Sequence, residues 1–544
     1  MAATILPTNG YPFEHHPLKR KLGNGLRQLA ILRALIENFR DLIALTICQV
    51  KTAILRASSR SENPASRQGI LCQKKRGTNP VCRAYVPRLF ALQVSLSLLL
   101  LSGCGGSRIA GAKIQHVVII FQENRTPDNL FHDPVLMANG ADIASSGVNS
   151  RGETIPLTPI PLGIDYDLAH WHNSFLSMYN GGKMDGANKI VVTCYRKADC
   201  PPARPAFKYV QPSDVEPYFK LAEEYTFGDR MFQTNEGPSY EAHQFILSGT
   251  SAPTTDSNLF AVDLPVPQTD TGCASPPQSY VELIDPLGKT AGRIYPCFEH
   301  PTLTDELSAS HLSWRYYAPS AGSIWTAPNS IQHMCGPNAP PPYATKCVGS
   351  DWVNNVVLYT PHNPAPILSD IRKNRLPAVS WVIPSGRNSD HANSTENIGG
   401  PSWVAAIVNA IGNSAYWENT AIIITWDDWG GWYDHVPPPE VIDDGTSWGS
   451  GYVYGFRVPL IVVSAYAKAG YISHVTHDFG SILNFVERTF SLSQLGYADS
   501  HTTDDLSDCF DFAQTPLHFR NIEAPLSAEY FLHDRRPATD PDDD

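Results

Sequence analysis

Two short apolar runs constrain the fold more than any other feature of this chain. They are His116-Val117-Val118-Ile119-Ile120-Phe121 and Ala421-Ile422-Ile423-Ile424-Thr425-Trp426, in which β-branched residues follow one another without polar alternation. A strand with water on one face alternates; a strand that does not is buried on both faces, as in a parallel sheet covered by helices. Ala378–Ile383 and Val458–Ser464 are further strand candidates. Helical stretches at Val215–Tyr225, Glu241–Ser248, Ser402–Asn413 and Asp478–Thr489 are interspersed with them. The pattern predicts an α/β fold with a mainly parallel central sheet and helices on both faces, in one large domain from Ile109 to about Pro525.

The middle, about 252–375, is Pro-rich, Cys-bearing and aromatic, and reads as an insertion or cap over the sheet edge, where substrate choice is usually made. The tail from Arg535 to Asp544 is acidic and reads as disordered. Residues 1–85 are basic and unlike the rest. Arg88 to Cys104 then combines a basic flank with an apolar core of roughly 15 residues, short of the ~20 that span a bilayer, as in a secretory signal. Leu101-Ser102-Gly103-Cys104 resembles the bacterial lipobox, which implies cleavage before Cys104, lipidation of its thiol and a Gly105-Gly106-Ser107 tether to the membrane. On that reading 86–104 is the signal, and 1–85 is either an over-extended translation start or a basic extension.

Six later cysteines fall into near neighbours, so Cys194–Cys200, Cys273–Cys297 and Cys335–Cys347 are plausible disulfides of an exported protein, with Cys509 left as a buried thiol. The absence of any Cys-x-x-Cys pair argues against a zinc site. The net charge of −12 argues against a nucleic-acid partner.

Both apolar runs end in acids and amides: Glu123-Asn124 after the first and Asp427-Asp428 after the second. Ligands of such sheets bind beyond the carboxyl ends of the strands. An oxygen-rich pocket there suits a hard divalent cation and phosphoryl or related ester chemistry, whereas either cluster alone reads equally well as solvated loop acids.

Several ordered motifs resemble a bacterial phosphoesterase family that includes phospholipases C and an acid phosphatase branch, with a core similar to that of alkaline phosphatase. They are Glu123-Asn124-Arg125-Thr126-Pro127-Asp128, Asp167-Leu168-Ala169-His170, Gly181-Gly182-Lys183-Met184-Asp185-Gly186, the run from Asp427 to Pro438, and Gly455-Phe456-Arg457-Val458-Pro459. The resemblance implies a Ser or Thr nucleophile in a turn that opens a helix. Gly237-Pro238-Ser239 before a helical stretch makes Ser239 that residue, beside free N–H groups that favour an attached phosphoryl group; the alternative is a Ser239 that merely caps the helix. It further implies Glu123, Asn124, Asp427 and Asp428 as ligands of a divalent cation, with His170 and His391 as proton donors to the leaving alkoxide. His435, turned back by Gly430-Gly431, is read as orienting the carboxylates. Where the family has Pro-Asn-Arg after the nucleophile this chain has Glu241-Ala242-His243, so His243 is expected to hold the phosphate's outer oxygens in place of the arginine. His172 and His333 are weaker candidates, equally well explained as structural.

Phospholipase C activity is favoured, because Trp314, Trp325, Trp352 and Trp403 are available to offer aromatic faces to a choline cation, although ordinary packing explains most aromatics. Acid phosphatase activity on small phosphomonoesters is the alternative, hinted at by Asp427-Asp428 in place of Asp-Glu. An inactive surface binding protein on the same scaffold is a third account, opposed by the retention of Ser239 and all four presumed ligands. A sulfatase fits poorly, since its Cys/Ser-x-Pro-x-Arg pattern is missing around Ser239.

Overall fold

The two apolar runs become adjacent parallel strands, paired residue for residue from His116 with Thr420 to Gln122 with Trp426. The computed structural model describes residues 113–540, apart from 196–199, 269, 394, 395, 397, 441–453 and 503. The expected extension, signal and lipidated Cys104 lie outside the described residues.

The central sheet contains β1 (His116–Gln122), β2 (Thr226–Phe232), β3 (Trp314–Ala318), β4 (Val356–Leu358), β5 (Val379–Val382), β6 (Thr420–Trp426), β7 (Arg457–Ser464), β8 (Tyr471–Ser473) and β9 (His477–Asp478). Their order is 4-3-5-1-6-7-2-8, with β9 pairing on β2. Only β7 runs against its neighbours. The interior of β1, β6 and β7 is fully buried, as unalternated Val and Ile require.

The principal helices are α1 (His172–Tyr179), α2 (Pro212–Glu224), α3 (Ser239–Ser248), α4 (Gly399–Gly412) and α5 (Phe479–Phe490). Successive strand residues point to opposite faces. Phe121 meets His243 of α3 and Phe479 of α5, whereas Trp426, in register with the next residue of β1, meets Tyr218 of α2. Helices therefore cover both faces, and α4 lies beside α2.

The middle segment is only partly a cap. Phe260–Val266, Tyr280–Ile284 and Thr290–Ile294 form a separate antiparallel ribbon, but Trp314–Ala318 and Val356–Leu358 are strands β3 and β4 of the central sheet. Trp314, Tyr316 and Tyr317 are buried there, so these aromatics are packing residues of a sheet strand. The tail also departs from expectation: Arg535 donates to the Pro361 carbonyl, Arg536 pairs with Glu396 and Asp534, and Asp540 accepts from Ser320. These contacts anchor it as far as residue 540. The three near-neighbour disulfides are present, and Cys509 is a buried free thiol.

Candidate active site

Glu123 and Asn124 follow β1, Ser239 opens the helix reached from β2, His391 follows β5, and Asp427 and Asp428 follow β6. These four strands are mutually parallel, so the topology delivers all six residues to one rim of the sheet. Asn124 takes φ +61°, which turns the chain sharply at the strand end. Gly430 and Gly431 also have positive φ, and a Cβ on Gly430 would lie 2.4 Å from the Asn124 carbonyl oxygen. The Gly-Gly pair thus lets the Asp427-Asp428 loop press against Asn124.

Each aspartate is held by one oxygen and aimed by the other. Asp427 Oδ1 accepts from the backbone N–H of Asn124 (2.9 Å) and of Asp428 (2.8 Å), and Asp428 Oδ1 accepts from Gly430 N–H (2.7 Å). Ser239 Oγ lies 3.2 Å from Asp428 Oδ2 and 3.4 Å from Glu123 Oε2. The helix cap is Pro238, and Ser239 makes no side-chain capping bond, so its hydroxyl is turned to the carboxylates. Burial, and then the charge of Asp427, holds the Glu123 carboxyl well above the usual range; the same two causes act on Asp428. Asp427 Oδ2 and Asn124 Oδ1 are buried without a hydrogen-bond partner. Three buried acids beside these two unsatisfied oxygens fit a hard divalent cation, whose charge would offset the acids' repulsion.

His170 comes from a small ribbon of Tyr166–Leu168 with Val192–Cys194. Its Nδ1 lies 2.7 Å from the Leu168 carbonyl, which can only accept, so Nε2 of the neutral ring accepts from Asn124 Nδ2 at 3.2 Å. His391 lies next to it, ring centroids 6.2 Å apart, with Nδ1 2.9 Å from Asn393 Oδ1 and Nε2 3.7 Å from Asp167 Oδ2. Ser239, the four presumed ligands and these two histidines are therefore brought together.

His435 is not among them. Its Nδ1 lies 2.7 Å from Asp128 Oδ2 and its Nε2 3.0 Å from Asp142 Oδ1, in a network with buried Arg457 and Asp434. Gly430 and Gly431 bend the loop against Asn124 and Leu168, and the chain has left the carboxylates by position 435. His243 also differs from expectation. It is wholly buried one turn beyond Ser239, with Nε2 3.3 Å from Glu123 Oε1 and 3.8 Å from Asp427 Oδ2, so it backs the carboxylates and does not face the phosphate's outer oxygens. Burial lowers its pKa to about 4. His172 is clamped between the carbonyls of Glu236 and Gly288, and His333 pairs with Glu299 and Asp305 in the middle segment.

Among the tryptophans, Trp314 and Trp403 belong to the core, Trp325 is buried beside His391 and His243, and Trp352 lines a separate cavity of about 540 Å³ with Tyr343 and Pro276. Sequence reasoning missed Arg125, whose buried guanidinium donates to the carbonyls of Asp390 and Leu162 and so ties the β1 loop to the loop of His391. Its place inside Glu-Asn-Arg was the available signal.

The chain is 26% identical to Phospholipase C A of Mycobacterium tuberculosis (strain ATCC 25618 / H37Rv), over 76% of this chain and 80% of that one. It is 25% identical to the Non-hemolytic phospholipase C of Burkholderia pseudomallei, over 70% of this chain and 55% of that one. A Vibrio parahaemolyticus structure described as a protein in the alkaline phosphatase superfamily aligns with a TM-score of 0.32 at 10% identity, over 71% of this chain and 70% of that one, a likeness too slight to carry an argument. The model of the Phosphoesterase family matches residues 114–493, so the chain belongs to that family and is a phosphoric ester hydrolase.

Proposed function

We propose that the chain hydrolyses a phosphoric ester through Ser239 as nucleophile, with Glu123, Asn124, Asp427 and Asp428 holding a divalent cation beside it. The observation that carries the reading is the Ser239 hydroxyl, 3.2 Å from Asp428 Oδ2 at the first turn of α3. A bound divalent cation would lower the pKa of the hydroxyl and offset charge on the phosphoryl oxygens, worth several kcal/mol in the transition state.

The hydroxyl proton already faces a carboxylate oxygen, so its transfer to Asp428 as Oγ bonds to phosphorus needs little rearrangement. The N–H groups that open α3 favour the phosphoryl group that Ser239 then carries. His391 gives a proton to the leaving alkoxide, and its neighbour His170, fixed by the Leu168 carbonyl, holds the Asn124 amide in place. Water next attacks phosphorus as His391 takes back one of its protons, and the proton on Asp428 returns to Ser239 Oγ as the seryl ester breaks.

The names of the mycobacterial and Burkholderia relatives favour a phospholipid diester as substrate. The test is a panel of phosphatidylcholine and p-nitrophenyl phosphate given to the purified chain starting after Cys104. Release of phosphocholine is expected; release of inorganic phosphate from monoesters alone would make it an acid phosphatase, and no turnover of either would remove the reading. Export and anchoring through lipidated Cys104 belong to the same proposal, and a mature protein beginning at Met1 would refute them.

A further inference from the structure

We propose that His243 is itself a ligand of the cation, adding a nitrogen donor to the oxygen set of Glu123 and Asp427. The inference rests on the metal-assisted reading above and concerns the position where the resembling family carries an arginine.

His243 is four residues beyond Ser239, on the same side of α3, and its side chain and those of Glu123 and Asp427 are fully buried. One ligand atom from each of the three lies within 4.8 Å of the others. The ring is held by the edge of Phe121, centroids 4.8 Å apart, and by the near-parallel face of Trp325 at 6.5 Å.

Its orientation follows from a single phenolic proton. Tyr316 Oη donates to the Trp325 carbonyl at 2.9 Å, and His243 Nδ1 lies 3.4 Å from the same Oη. A phenol has one proton, here committed to a carbonyl, so Tyr316 accepts and Nδ1 carries the hydrogen of the neutral ring. Nε2 then presents a lone pair toward Glu123 Oε1 and Asp427 Oδ2, the latter buried without a hydrogen-bond partner. A lone pair and two carboxylate oxygens converging in a dry site repel one another unless a proton on Glu123 or a cation lies among them, and a bound cation would displace that proton. A metal-bound histidine usually donates its other N–H to a fixed acceptor, the role Tyr316 fills here.

The consequence is selectivity. Oxygen ligands alone suit Mg²⁺ or Ca²⁺, whereas an imidazole favours Zn²⁺ and other late divalent ions. The experiment titrates metal-stripped full-length protein with Zn²⁺ and with Mg²⁺ by calorimetry, for the wild type, His243→Gln and Tyr316→Phe. In H243Q the Zn²⁺ Kd is expected to rise about tenfold or more, with a much smaller change for Mg²⁺; Y316F, which frees the ring to take the other tautomer, should fall between. Unchanged or tighter Zn²⁺ binding in H243Q overturns the inference while leaving the metal-assisted reading intact. A wild type that binds neither ion overturns both. Should H243Q fail to fold, pulsed EPR of the Cu²⁺-loaded wild type decides: modulation from an imidazole nitrogen supports the inference and its absence overturns it.

Discussion

Replacing Ser239 with Ala removes one oxygen from a helix whose cap is Pro238, so the fold has little reason to change. The seryl ester can no longer form, and kcat should fall by about a thousandfold or more. Rates near wild type, with an unchanged circular dichroism spectrum, would eliminate the covalent route. Single residues show both the reach and the limit of sequence reading. Glu123, Asp427 and Asp428 were legible because each sits at the end of a run that could only be a buried strand. The setting of His243 was not, because the tyrosine that fixes its tautomer is 73 positions away. Motif proximity misled at His435, where two glycines with positive φ redirect the chain.

Among elements, the strands differ in how openly the sequence declares them. β1 and β6 are plain because unalternated Val and Ile have few other uses. β2 is a fully internal strand disguised as Thr-Phe-Gly-Asp-Arg-Met-Phe: its Gly228 makes room for Leu460, and buried Asp229 is answered by His474. β3 was read as cap because its aromatic residues resemble a binding surface until the sheet closes over them. The β6–β7 connection is pinned by Arg457, paired with Asp434 and Asp128, and by His435 between Asp128 and Asp142. Burial lowers the His435 pKa, but the hydrogen bond and charge of Asp128 outweigh it and raise it to about 9. A raised folded value means that this stabilisation is complete below the unfolded value, near 6.5, and is lost as pH rises through about 9. His435→Gln should cost about 1–3 kcal/mol at neutral pH and flatten the decline of stability between the unfolded value and about pH 9. Denaturant unfolding at pH 6, 8 and 10 reads both effects.

At the scale of the molecule, the buried acids would couple folding to the cation proposed above. Glu123 and Asp428 hold protons more tightly folded than unfolded, so in metal-free protein their contribution is present below the ordinary carboxylate range and is lost as pH rises through their elevated values. A chelated sample should therefore melt at lower temperature as pH increases. Divalent ion at a hundred times its Kd should restore about 2.7 kcal/mol and weaken that pH dependence; melting curves that ignore both chelator and ion would refute the coupling. The disulfides occupy another part of the plan. Cys194–Cys200, Cys273–Cys297 and Cys335–Cys347 close short loops, and none of them lies within the central sheet strands. Reactive floor and decorated periphery are thus fastened by separate means, one by backbone pairing and the other by covalent staples. Sequence change in the stapled periphery therefore need not reach the strands that carry the acids.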